Sequence, residues 1–129
     1  MFKSVDGGFQ ITFVNNLTVS VMFRSGSYCE HRDARYELPA DNIRINGFHG
    51  SNDAEIAIWE TNPDGERGRW INIGHDQVSG YHTPDQVALI IFATQSAKNF
   101  DDLQSNVENY RDLKWNKLAI ENVTNLLTG

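Results

Sequence analysis

The stretch Phe9-Gln-Ile-Thr-Phe-Val-Asn-Asn-Leu-Thr-Val-Ser-Val-Met-Phe-Arg24 holds two alternating runs joined at Asn15-Asn16. Phe9, Ile11 and Phe13 share one face of the first run, and Leu17, Val19, Val21 and Phe23 share one face of the second. Apolar residues at every second position suit a strand with one buried and one wet face. Asn tolerates positive φ, which a type I′ turn requires at both central positions. The pattern predicts a β-hairpin turning at Asn15-Asn16, the seed of an antiparallel sheet.

Before it, Phe2-Lys-Ser-Val5 fits a short strand ended by Asp6-Gly7-Gly8. After it, Ser25-Gly26-Ser27 breaks the hairpin and Tyr28-Cys29-Glu30-His31-Arg32 opens a polar connection. Asn42-Ile-Arg-Ile-Asn46 alternates enough for a short strand, and residues 48–53 fit a loop. Ala54-Glu-Ile-Ala-Ile-Trp-Glu60 is a second strong strand. Ala54, Ile56 and Ile58 lie on one face of it, Glu55, Ala57 and Trp59 on the other. Turn formers fill residues 61–68, and Arg69-Trp-Ile-Asn-Ile73 is the expected return strand of a second hairpin over 54–73.

Thr83-Pro84-Asp85-Gln86 is a helix start: Thr at the N-cap, Pro at the first helical position, an acid in the first turn and Gln at N3. The helix is expected from Pro84 to about Ala97. Its interior, Val87-Ala-Leu-Ile-Ile-Phe-Ala93, is apolar on every side, which predicts a helix buried against the sheet. A buried strand over 87–92 is the alternative. Asn99 suits the cap of a second helix, with Phe100, Leu103, Val107 and Tyr110 at spacings of three and four. Trp115, Leu118, Ala119, Val123, Leu126 and Leu127 predict a third.

Strands first and helices last indicate an α+β fold. The expected architecture is one domain over residues 1–129: an antiparallel sheet from two hairpins packed by a buried helix (1–97), then two amphipathic helices in a tail (98–129). An apolar stripe left over on the last helix marks an interface. A homo-oligomer is therefore expected, with Trp115, Leu118, Val123, Leu126 and Leu127 in the contact.

The net charge is −6 and no basic cluster occurs, so phosphate-backbone binding is disfavoured. The longest apolar run, Val87 to Ala93, has seven residues, against the ~18 of a membrane span. The first residues show no secretory apolar core. Cys29 is the sole cysteine and has no disulfide partner within the chain. These features lead to an expected cytoplasmic location.

Cys29 and His31, with His49, His75, His82, Glu30 or Asp76, could be read as metal ligands, but no CxxC or HExxH spacing supports that. A nucleophilic Cys29 needs a positioned base and an oxyanion hole, and Ser27-Tyr-Cys-Glu-His31 carries no signature of them. No phosphate loop is present. No cofactor or metal is expected. The candidate binding residues are Trp59, Trp70, Tyr28, Tyr81 and His82, since aromatics with polar tips are enriched at recognition surfaces. The competing reading is that Trp59 and Trp70 form a cross-strand pair.

Leu17-Thr-Val-Ser-Val-Met-Phe23, Tyr28-Cys29, Asp53-Ala-Glu-Ile-Ala-Ile-Trp59, Trp70 and Gly80-Tyr-His-Thr-Pro-Asp-Gln-Val87 form an ordered set. The set resembles small uncharacterised proteins encoded in bacteriophage genomes, over residues 9–97. The resemblance implies no activity and no site residues. It implies a context: a protein made in the cytoplasm of an infected bacterium that binds and blocks a host component, in counter-defence for example, or sequesters a signal. The leading expectation is thus a non-covalent binding protein rather than an enzyme. The alternatives are a nucleotide-signal binder, with aromatic faces for a base and Arg32, Arg35 or Arg69 for phosphates, and a hydrolase using Cys29, histidine or a metal.

Overall fold

A computed structural model of the chain describes residues 1–33, 50–73 and 76–107. Among these residues six strands form one antiparallel sheet: β1 (Phe2–Val5), β2 (Gly8–Thr12), β3 (Leu17–Met22), β4 (Ala54–Thr61), β5 (Arg67–Trp70) and β6 (Val78–His82). The order is β1-β2-β3-β4-β5. β6 pairs with β4 as well, at Ala54 to Ala57, while β5 pairs with it at Trp59 and Thr61. β4 is therefore central, with β3 on one side and two short strands on the other. Two helices follow, α1 (Pro84–Ser96) and α2 (Phe100–Val107). No helix of the described residues is long and apolar enough to cross a membrane.

The hairpin read from period-two alternation forms, with Phe9 opposite Val21 and Ile11 opposite Val19. Its turn is not type I′. Only Asn16 has positive φ, at 65°. The Asn16 N–H donates to the Phe13 carbonyl at 2.9 Å, and the Phe13 N–H donates to the Leu17 carbonyl at 3.0 Å. The turn is centred one residue earlier, on Val14-Asn15, and Asn16 is the left-handed residue of a bulge that closes it. The physical reason lies far along the chain. Asn15 Nδ2 donates to the carbonyls of Thr94 and Ala97, each at 2.8 Å. A helix leaves its last carbonyls without intrahelical partners, and Asn15 supplies a donor at the C-terminus of α1. Its Oδ1 accepts the Leu17 N–H at 3.1 Å. Asn15→Ala is expected to cost about 1.5 kcal/mol in urea denaturation. Asn15→Asp keeps the acceptor, removes the donor and sets a charge against carbonyl oxygens, so it is expected to cost at least as much.

α1 starts as read. Thr83 Oγ1 accepts the Gln86 N–H and the Gln86 side chain accepts the Thr83 N–H, a complete capping box. The strand alternative for 87–92 is set aside, because these residues are helical. The helix packs against the sheet as expected, but its apolar run is not buried evenly. Val87, Ile90, Ala93 and Thr94 are buried, whereas Ala88 is exposed and Leu89, Ile91 and Phe92 are half-buried. A helix on one face of a sheet buries one stripe. α2 follows a short link: Asn99 Oδ1 accepts the Asp102 N–H at 2.9 Å, and Phe100, Leu103 and Val107 are buried.

The core lies between the sheet and these helices. It joins Leu17, Val19 and Val21 of β3, Ala54, Ile56 and Ile58 of β4, Ile71 and Ile73, and the buried faces of α1 and α2. The opposite face is not wet over β3, as alternation implied. Thr18 and Ser20 are buried there, beside Ala57 and Trp59 of β4. The hydroxyls of Thr12, Thr18 and Thr61 form a chain with O···O distances of 2.7 and 2.5 Å, which removes much of the cost of burying Thr18.

Two further expectations shift. The return strand spans Arg67–Trp70 rather than 69–73, yet Ile71 still donates its N–H to the Ile58 carbonyl at 2.8 Å. β6 had no reading from the sequence. The expected strand over 42–46, Tyr110, and the stripe Trp115, Leu118, Ala119, Val123, Leu126 and Leu127 lie outside the described residues.

Candidate aromatic binding cleft

β6 departs from regular pairing in the middle. Ala54 faces His82 and Ile56 faces Ser79, so β6 has an extra residue over that interval, a bulge. It contains Gly80 and Tyr81. Tyr81 has φ 59°, a left-handed conformation that is uncommon for a bulky residue and marks local strain. The strain is held from outside the strand. The Tyr81 N–H donates to the Tyr28 carbonyl at 2.9 Å. Gly80 lies so close to Tyr28 that a Cβ there would collide with the Tyr28 Cβ and come within 3.0 Å of its carbonyl oxygen. Gly inside a strand often marks such a close approach, and this was the signal available in the sequence.

Tyr28 belongs to a turn closed upon itself. The Ser27 N–H donates to the Arg24 carbonyl, the Gly26 N–H to the Arg32 carbonyl, and the Arg32 N–H to the Cys29 carbonyl. Carboxylates anchor this loop to residues 52–55. Tyr28 N–H donates to Glu55 Oε2 at 2.7 Å and Glu30 N–H to Asp53 Oδ1 at 2.6 Å. Asn52 returns two donors to the Glu30 carboxylate, and its backbone N–H holds that carboxyl below the usual range.

The outcome is an open cleft of about 450 Å³, lined among the described residues by Tyr28, Asp76, Gln77, Val78, Gly80 and Tyr81. Tyr28 is 43% exposed and Tyr81 53% exposed. The Arg32 guanidinium lies over the Tyr28 ring, 4.9 Å from its centroid.

The other candidates sit elsewhere. Trp59 is buried and pairs across the strands with Trp70, ring centroids 4.9 Å apart and planes tilted by 43°. Arg67 covers both rings, at 4.3 and 5.6 Å. His82 is buried, with Nε2 2.6 Å from Ser79 Oγ. It borders a second, apolar groove of about 380 Å³ between Phe9, Val21 and Phe23 of the hairpin and Pro84, Val87 and Ile91 of α1. Of the five residues singled out by type, the fold brings Tyr28 and Tyr81 to one site.

Of the arginines considered for phosphates, the two among the described residues, Arg32 and Arg69, contact other groups. Arg69 bonds Glu60 at 2.8 Å and Asp101 at 3.1 Å while its guanidinium covers Phe100. Arg35, like His49 and His75, lies outside the described residues. No group of three or more His, Cys, Asp or Glu among the described residues is placed to hold a metal ion. His31 Nε2 lies 2.8 Å from the Gly50 carbonyl oxygen and 3.4 Å from the Glu30 carboxylate.

Cys29 is buried, its Sγ 3.5 Å from the Arg24 carbonyl oxygen. Burial, reinforced by the charges of Asp53, Glu30 and Glu55, pushes its thiol above the ordinary value. An attacking thiolate needs the opposite shift. At pH 7.5 the native thiol is expected to react with an aromatic disulfide reagent roughly a hundredfold slower than in denaturing urea. A comparable rate in both states would contradict this placement. Comparison with protein-family models, with curated proteins and with solved structures finds no match for the chain.

Proposed function

We propose that this chain is a non-covalent binding module that engages a host component through the tyrosine cleft, in the setting that the likeness to phage-encoded proteins implies. The observation that carries the reading is the fixed pair of exposed rings. Tyr28 and Tyr81 are held to each other by a backbone hydrogen bond and by contact at Gly80, with Tyr81 in a strained conformation. Strain of this kind persists only where the surroundings enforce it, and it clusters at functional sites. Rigid tyrosines give large contact area at little entropy cost, which favours them as anchors.

The test uses the immobilised full chain and lysates of several bacteria, with Tyr81→Gly beside the natural sequence. Glycine adopts the left-handed conformation freely, so this change removes the ring without a folding penalty. The natural chain is expected to retain a specific component and the variant about tenfold less of it, the scale of one lost anchor. Equal retention by both chains would overturn the reading.

A further inference from the structure

We infer that the cleft takes a basic side chain, an arginine on a segment of a partner protein, seated between Tyr28 and Tyr81 with its guanidinium against Asp76. This rests on the binding reading above and adds the chemistry of what is bound. A ring face attracts a cation through its quadrupole, and a carboxylate beside the ring adds charge and a forked acceptor for a guanidinium. The cleft presents both. Tyr28 and Tyr81 are about half exposed, and Asp76 lines the same space.

The molecule already uses this pairing internally. Arg69 lies 4.2 Å from the Phe100 centroid while Glu60 and Asp101 take its N–H groups. That is a ring beneath a guanidinium and carboxylates at its edge, the set that Tyr28, Tyr81 and Asp76 offer to a cation from outside. Arg32 lies over Tyr28 without being part of the cleft lining. Among the described residues no ion pair engages Asp76.

Charge at longer range acts in the same direction. Glu55, Asp53 and Glu30 are bonded into the loop that carries Tyr28, and the whole chain has a net charge of −6. Such a field draws basic partners and repels phosphates. Arginine fits better than lysine because a planar guanidinium stacks between rings and presents its donors to a carboxylate at the same time.

The probe is an acetylated and amidated Gly-Ser-Arg-Ser-Gly peptide, compared with versions carrying citrulline or glutamate in place of arginine, and with adenosine monophosphate. Binding is read as shifts of the Gly80 and Tyr81 backbone amide resonances in the full-length, nitrogen-15-labelled chain. The arginine peptide is expected to shift both amides with Kd on the order of millimolar, as suits one side chain. Citrulline keeps the planar shape and loses the charge, so its affinity is expected to fall about fivefold or more. Asp76→Asn should cause a similar loss for the arginine peptide. Citrulline or glutamate peptides binding as well as arginine, an Asp76→Asn chain binding arginine unchanged, shifts caused by the nucleotide instead, or no shifts with any probe would each overturn the inference. In those cases a lysate component that Tyr81→Gly loses would leave the binding reading standing without this chemistry. If Tyr81→Gly also retains the component, both readings fall together.

Discussion

Ile58→Ala is expected to lower the stability of the protein by about 3–4 kcal/mol. Ile58 is wholly buried. It sits on β4, which pairs with three other strands, opposite Val19 of β3, and faces the buried stripes of the helices within one continuous core. Its carbonyl also accepts the Ile71 N–H, so the surrounding backbone is held on two sides and closes poorly around a lost side chain. That places the change toward the costly end of large-to-small substitutions, where the cavity persists. With a denaturant slope of ~1.5–2 kcal/mol per molar, the urea midpoint should fall by about 2 M. Val14→Ala supplies the contrast. Val14 is fully exposed at the hairpin tip, and a surface change of this kind is expected within ~0.5 kcal/mol. Equal effects at the two positions would mean that β4 is not the centre of the sheet.

The second large effect is expected at Gly80. Gly80→Ala places a methyl group where the Tyr28 Cβ stands. A Cβ is not the free end of a flexible side chain, so the 27–29 loop or the β6 bulge has to move. That loop is fastened by the Tyr28–Glu55 and Glu30–Asp53 hydrogen bonds and by buried Cys29. The expected cost is about 2 kcal/mol, typical of overpacking a close contact. Together with it the cleft should lose its ligand, since the rings no longer hold their spacing. Gly65→Ala separates the two effects. Gly65 has positive φ, at 87°, and open space where its Cβ would be. It is expected to cost ~1 kcal/mol from backbone conformation alone and to leave binding untouched. Full binding by Gly80→Ala would dissociate the bulge from the site.

Where local chemistry decides structure, the sequence was legible. The β2–β3 pairing follows from period-two alternation, and the start of α1 follows from Thr83, Pro84 and Gln86, because a capping box involves only residues three apart. Phe100, Leu103 and Val107 showed the buried face of α2 for the same reason. Where a distant partner decides, the sequence misled. Asn15 and Asn16 look like a type I′ pair, and nothing nearby reveals that the Asn15 side chain serves the end of a helix. β6 hid because its bulge breaks the alternation by which strands are recognised. The aromatic residues were picked by type, and their grouping belongs to the topology: Trp59 meets Trp70 because β4 pairs with β5, and Tyr28 meets Tyr81 because the loop after β3 closes over β6.

The Asn15 contacts carry a consequence for the order of events in opening and closing. They join a turn near one end of the sheet to helix carbonyls 79 and 82 residues later. The last turn of α1 and the tip of the hairpin therefore share donors and acceptors, although each looks like an independent local element. Neither can open alone without exposing polar groups of the other. Amide protons in the last turn of α1 should thus exchange with solvent in step with those at Asn16 and Leu17, as one cooperative unit. Because the closing contact spans so much chain, that unit should form late in folding, after the hairpin itself has paired.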